Sequence, residues 1–490
     1  MDKPKLDEYL PNLCKIGRVC SKGMRWTGRL TTRVLRRTWK PACILLVAVV
    51  ILHTAATLIT GALLRRELDK IRAAGEFLSS ESMAAATIPA HQSVSPVYAR
   101  LLRATKRLDD EGYKIGCPMP DGTADPTPDE LRAARELSKH LGPLIRDVEL
   151  AARLPSYQSR KNGQYGATQA PYMAGSLQRY LFVAAATAAR EKRSEEALKL
   201  FRLGYCFPLM LDTTAYPWVP YRLSARAGNT LQVMSYSSQL SDEQLRRIAG
   251  FMKNPVDEKQ VKKLALAERA TLLETYDMLR DYGIPGAFSD FASNEGRPFL
   301  SERLTGYWQT PYFNWNEIAA LRDFQKNWKL VYVPFRELVR RFGDRVRSGS
   351  SLTLPRGPFL GIARDFGSVD YERIALQRDS ALAEHRANLL FIDILRYRNS
   401  HGEYPHNLRE LTQFVGKSLP LDPFSGKEFR YIRKGREFVL YSVGSDLKDN
   451  RGRRNAYPYP RQWDIVRTSF PRPRTASEIK RSRIELPPTP

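Results

Sequence analysis

The residues from Pro41 to Leu64 constrain this chain more than any other stretch. They run without a single Asp, Glu, Lys or Arg. At 1.5 Å per residue a helix of that length reaches about 36 Å, enough to cross a hydrocarbon core of about 30 Å. Lys40 closes one end and Arg65 and Arg66 close the other. Cleaved secretory signals have short basic leaders and apolar cores of about 7–15 residues. Here forty residues precede the run, and Leu63 and Leu64 carry the apolar pattern past the loose Thr60-Gly61-Ala62 cleavage match. Cys43 precedes the apolar run, whereas a lipoprotein cysteine follows it. The expectation is an uncleaved anchor; a buried core helix is the alternative.

The flanks orient the anchor. Arg18, Lys22, Arg25, Arg29, Arg33, Arg36, Arg37 and Lys40 lie before it, against Arg65, Arg66, Lys70 and Arg72 after it. Positive charge collects on the cytoplasmic side. The chain is therefore expected to cross the inner (cytoplasmic) membrane once. Its N-terminus is then cytoplasmic, and the bulk from Arg65 onward extracytoplasmic, or periplasmic.

Net charge is +26, but residues 1–40 carry eleven basic residues against three acids, and residues 451–490 ten against three. More than half the excess is thus in two flanking segments. They read as a basic leader facing anionic lipid and a solvated basic tail, not as a nucleic-acid surface. Of five cysteines, only Cys117 and Cys206 lie on the oxidising side of this topology. A disulfide between them is open, since sequence does not give their separation.

Beyond the anchor the spacing is helical. Thr127-Pro128-Asp129-Glu130 and Ser241-Asp242-Glu243-Gln244 are helix starts, each with a capping hydroxyl and acids in the first turn. Met173 to Ala189 is the most apolar helix of the remainder. The tight turn Glu191 to Ser194 then predicts an antiparallel hairpin with the helix carrying Ala197 and Phe201. Tyr282 to Pro311 reads as irregular, and helix returns from Trp315 with a break at Pro334.

The expected organisation is a basic leader at 1–40, a transmembrane helix at 41–64 and a helical extracytoplasmic domain at 65–347. A linker at 348–370, a small α+β module at 371–450 and a disordered Pro-rich basic tail at 451–490 follow. In the module, Tyr371 to Tyr397 reads as one amphipathic helix with Ile374, Ala381, Leu382, His385, Leu389, Ile392 and Leu395 along a stripe. A β-hairpin turns at Lys434-Gly435. The fold class is expected to be mainly α, with one transmembrane helix and this α+β cap.

From Tyr397 to Asn450 the order is a long helix, Gly402-x-Tyr404-Pro405, a Leu408-x-x-Leu411 helix, Asp422-Pro423-Phe424, and a hairpin closed by Tyr441-Ser442-x-Gly444-x-Asp446. That order resembles the C-terminal part of major pseudopilins of type II secretion. The whole arrangement also looks like a group of anchored proteins of planctomycete-type bacteria. The pseudopilin resemblance implies calcium in the last loop, at Asp446 and Asp449, and association with a secretion or pilus-like system. The chain has no Gly-Phe-Thr-Leu-type processing site, and some three hundred residues separate Leu64 from Tyr371, which a pilus subunit does not have.

Hydrolase, zinc-protease, phosphate-loop and dinucleotide motifs are all missing. His401, His406 and Glu403 fall on a turn without the spacing to converge on a metal, and His385 reads as a core histidine. The aromatic residues Tyr307, Trp308, Tyr312, Phe313 and Trp315 are the one candidate binding groove. The expectation is a non-enzymatic, membrane-anchored binding or scaffold protein. Its expected partners are inner-membrane lipid and other proteins; an unrecognised enzyme is the remaining alternative.

Overall fold

The computed structural model describes the backbone of residues 10–76, 78, 79, 95–114, 126–151, 166–210, 218–254, 256–289, 300–343, 346, 369–453 and 464–470. Among these are thirteen α-helices and one three-stranded sheet. The chain divides into two units, Met1–Arg66 with Met278–Trp315, and Glu67–Asp277 with Asn316–Pro490.

The first unit is built on α1, Leu10–Ala73, which runs unbroken through Pro41. The basic leader is therefore helical from Leu10 onward. From Trp39 to Leu52 every side chain is exposed. From His53 the pattern changes. His53, Ala56, Thr57, Thr60, Gly61, Leu63 and Leu64 are half-buried or buried, while Leu58 and Ile59 stay exposed. That three-to-four spacing is one face of a helix against protein. Two other helices contribute to the unit: α9, Glu258–Ser289, and α10, Leu300–Asn327. Helix thus fills most of the stretch expected to be irregular, and α10 passes through Pro311.

The second unit carries α2 (Ser95–Lys114), α3 (Pro128–Lys139), α4 (Gly142–Ala151), α5 (Gly166–Arg190), α6 (Ser194–Met210), α7 (Trp218–Ser237) and α8 (Asp242–Phe251). Both capping boxes form, with Thr127 and Glu130 exchanging bonds, and Ser241 and Gln244 likewise. The expected hairpin is α5 and α6, whose buried Leu181, Ala185, Ala188, Ala197 and Phe201 belong to the main core. Each large apolar side chain buried there contributes roughly 1.5–3 kcal/mol.

Further along are a 3-10 turn at Trp328–Tyr332, α11 (Phe335–Phe342), α12 (Tyr371–His401), α13 (Leu408–Val415), and strands β1 (Arg430–Lys434), β2 (Glu437–Ser442) and β3 (Ile465–Thr468). The break at Pro334 forms as expected. The strands are antiparallel in the order β1-β2-β3, with Ile432 opposite Val439 and Leu440 opposite Arg467.

Two expectations fail here. Helix α12 is not an amphipathic stripe: Ile374, Ala375, Leu376, Arg378, Asp379, Ser380 and Ala381 are all buried, which closes every side of the helix. It packs on α7, α8, α11, α13, β2 and β3. One core runs from Val97 through Phe391 to Leu440. Residues 371–450 are therefore not a module apart; their long helix is the axis of a larger body. Nor is 451–490 wholly a disordered tail, because Ile465–Thr468 completes the sheet. Alternation of Asp464, Val466 and Thr468 with Ile465 and Arg467 suits a strand, and β2 leaves an edge for it to cover.

Candidate functional site

The five aromatic residues expected to line a groove share one helix and divide between its faces. Phe313 is fully buried and Tyr312 half-buried, while Tyr307, Trp308 and Trp315 are about half exposed. Tyr307 and Trp308 lie against α1. His53 Nε2 is 3.2 Å from the Tyr307 carbonyl oxygen, which can only accept. The His53 ring centroid is 4.9 Å from that of Tyr307 and 4.4 Å from that of Trp308. One heptad along, Asn314 Nδ2 donates to Thr60 Oγ1 at 3.2 Å, and Arg280 donates to Asn314 Oδ1 at 3.3 Å. Such bonds join helices where apolar surroundings offer no other partner.

The second gathering of polar groups is inside the other unit. Arg467 of β3 is 2% exposed, so its charge must be met within the protein. Its guanidinium donates to Asn388 Oδ1 at 2.8 Å and to the Val466 carbonyl at 3.0 Å, and it pairs with Glu384. Asn388 in turn donates to the Ser224 carbonyl at 2.9 Å. Beside it, Thr468 N donates to Gln232 Oε1 at 2.8 Å. Ser224, Gly228 and Gln232 stand at i, i+4 and i+8 on α7, and Glu384 and Asn388 at i, i+4 on α12. Gly228 is the gap in this row. A Cβ there would collide with the Arg467 guanidinium and with Asn388 Oδ1. These residues bolt β3 between two helices.

A third set surrounds the start of α12. Asp379 accepts from Phe335 N at 2.7 Å and from Arg378, while Arg378 donates to the Val331 and Val333 carbonyls. Burial raises the Asp379 carboxyl, against the opposing charge of Arg378. Burial likewise raises Glu268, although Arg373 donates to both its oxygens at 2.8 Å. Burial, then the nearby Asp370, raises Glu372. Tyr371 donates to Asp323 at 3.0 Å. Glu67 accepts from Lys70 at 2.7 Å and Arg322 at 2.9 Å. Burial would lift Glu67, but these two cations outweigh it and hold the carboxyl below the usual range. Perturbed acids mark catalytic sites or structural ion pairs. Asp379, Glu268 and Glu67 each face an arginine that tethers another element, which is the structural pattern.

The pilin-like motifs serve the fold in the same way. Gly402 caps α12 in the left-handed region at φ 78°, where glycine escapes the Cβ penalty. Asp422 accepts from the amides of Phe424 and Ser425 and from Ser442 Oγ at 2.7 Å, pinning its turn to β2. Tyr431 donates to the Pro405 carbonyl at 2.8 Å. Glu403 pairs with Arg433 at 2.7 Å and lies 3.9 Å from His406 Nε2, while His401 stacks on Tyr397, so two of the three residues of that turn meet and the third turns away.

In the last loop Asp446 accepts from Lys448 N and Asn450 Nδ2, and Asp449 from Tyr441 OH and Arg451 N. A third acid joins them from beyond the expected module: Asp464 accepts from Asn450 N and Gly452 N. Its carboxyl is pushed up to about 6, by burial first and then by the charges of Asp449 and Asp446 against the two amides. The carboxylates are turned onto the loop's own donors, and Asp449 also faces Arg430. Among the described residues no three such side chains gather as a metal site. Each carboxylate at which the resemblance implies calcium thus already accepts from donors of the protein itself. Cys206 is a free, half-buried thiol whose pKa burial raises; Cys117 lies outside the described residues.

No protein-family model matches this chain, and no curated protein or solved structure matches it either.

Proposed function

We propose that this is a single-pass membrane protein whose helical body acts outside the cytoplasm as a binding or scaffold element. The observation that carries the reading is the stretch Trp39–Leu52, apolar beyond Lys40 and exposed on every side. A helix that is apolar all round must be buried in something. Among the described residues one helix is long and apolar enough to cross a membrane, and it is this one. The eight-to-four bias of basic flanks supports a cytoplasmic N-terminus. A scaffold role is supported by the use to which the charged groups are put. Glu384 with Arg467 and Glu268 with Arg373 tie α12 to a strand and to another helix, while Asp379 and Arg378 reach from α12 to Phe335 N and to the Val331 and Val333 carbonyls.

A filament role has less support. A pilin-type helix needs a free face for its neighbours, and between Tyr371 and Leu395 side chains are buried on every side of α12.

Alkaline phosphatase fused after Pro490 tests the topology. The fusion should be active and its cytoplasmic N-terminal counterpart inactive; the reverse pattern overturns the proposed orientation. The reporter must follow β3, since a junction at Asn450 removes Arg467 and leaves Glu384 buried without its partner.

A further inference from the structure

We propose that this chain forms a parallel homodimer through its leader, where α1 ahead of Lys40 pairs with the same stretch of a second copy along one charge-free seam. The parallel register rests on the spanning reading of α1.

The seam follows from helix phase. α1 is helical from Leu10 and continues as helix through Pro41. No acid occurs between Glu8 and Glu67. At about 100° per residue, all nine basic residues from Lys15 to Lys40 fall within an arc of about 120°. Leu13, Ile16, Cys20, Met24, Thr27 and Val34 lie opposite, within about 80°. Each is three, four or seven residues from the next, the heptad period with which helices wind around each other.

A helix that leaves the membrane for water holds its form by burying one face. α10 meets α1 at His53 and Thr60, and the fully exposed stretch from Trp39 to Leu52 separates those contacts from the leader. The anchor names the occupant instead. Copies inserted in one membrane point the same way and sit at the same depth. Each leader therefore meets an identical seam at its own level, as a two-fold dimer requires. The basic stripe lies about 160° from the seam, so this pairing sets no row of cations against another.

Lipid does not cover the seam. Helix through Pro41 carries the leader away from the membrane plane, and Lys15 stands about 38 Å along the axis from Lys40. Headgroup charge is felt over only about 8 Å, so it reaches the last turns of the leader alone. A separate protein would have to supply a matching seam, whereas a second copy brings one.

The test uses the full chain in membranes, with either Cys20 or Cys14 as its only cysteine. Cys20 lies on the seam and Cys14 about 120° from its centre. In paired helices that offset holds two Cys14 residues beyond the ~7 Å Cα separation a disulfide tolerates. Oxidation with copper phenanthroline should link the Cys20 chain into a species of twice the mass, about tenfold more than the Cys14 chain. Ile16→Lys should abolish the link while the chain stays in the membrane; a link that persists overturns the seam. Equal linking of the two cysteines reports random collision and overturns the proposal. Failure of Cys20 to link in a chain that resists alkaline extraction overturns the dimer and leaves the anchor standing. A chain that alkaline carbonate releases refutes the spanning reading, and this one with it.

Discussion

Helices α1 and α12 pose the same problem and solve it in opposite surroundings. Each presents side chains that water should not surround. In α1, from Trp39 to Leu52, no protein covers any face; in α12, from Tyr371 to Leu395, protein covers nearly every one. Their polar groups record the difference. Just beyond that stretch the exposed Thr54 of α1 returns its hydroxyl to the Val50 carbonyl at 2.8 Å, within the helix itself. Glu384, Asn388 and Asp379 of α12 bond to Arg467, Ser224 and Phe335 on other elements. A helix in lipid must satisfy itself, whereas a helix in a core can be satisfied by neighbours and so position them.

The contrast can be broken most severely at Arg467. Arg467→Ala leaves Glu384 buried and unpaired, and urea unfolding should show a loss of about 3–5 kcal/mol. Replacing Glu384 and Arg467 together by Met should recover most of it. If the single change costs less than about 1 kcal/mol, the bolt does not hold β3. Next comes Leu46→Lys in α1. It should cost about 3 kcal/mol of membrane insertion while leaving the unfolding of the second unit unchanged. Fractionation and thermal melts read the two effects separately.

His385 sharpens the comparison by pH. Its pKa is pushed down to about 4, by burial and then by the Arg386 charge, and its Nδ1 has no bonding partner. The folded state therefore prefers the neutral ring. That preference costs nothing above the unfolded value near 6.5. Stability falls as pH drops from about 6.5 to about 4, by up to ~3 kcal/mol. Denaturation midpoints of His385→Gln should lack this slope. Asp464 acts in the other direction. Its raised pKa favours the protonated form when folded, so its contribution is complete below about 3.8 and is lost as pH rises through about 6. Asp464→Asn should remove that loss. The smallest effect is expected at Asp446→Asn, about 1 kcal/mol or less. Added calcium should leave the melting temperature unchanged.

Much of this was legible from local chemistry. The apolar run, both capping boxes, the α5–α6 hairpin, the Pro334 break and the β-hairpin each announce themselves over a few residues, although the β-hairpin turns at Gly435-Arg436, one position beyond the expected Lys434-Gly435. What escaped depends on residues far apart. The residues named for a stripe on α12 are only part of what is buried there, because Arg378, Glu384 and Asn388 are covered by partners that only the fold supplies. Arg467 sits in a basic, proline-rich segment whose composition hides a strand of four residues. The aromatic set between Tyr307 and Trp315 was found as a list, but its division into a buried Phe313 and an outward stripe needed the helix phase, obscured by Pro311. The calcium expectation came from motif order alone, which does not show that Asp464, from beyond the expected module, joins Asp446 and Asp449 at the loop.

Alkaline carbonate extraction of membranes, followed by intact mass measurement, tests the central claim most directly. The account predicts that the chain stays in the pellet with residues 1–64 still attached. Recovery in the supernatant, or of a chain shortened to begin beyond residue 60, would contradict it.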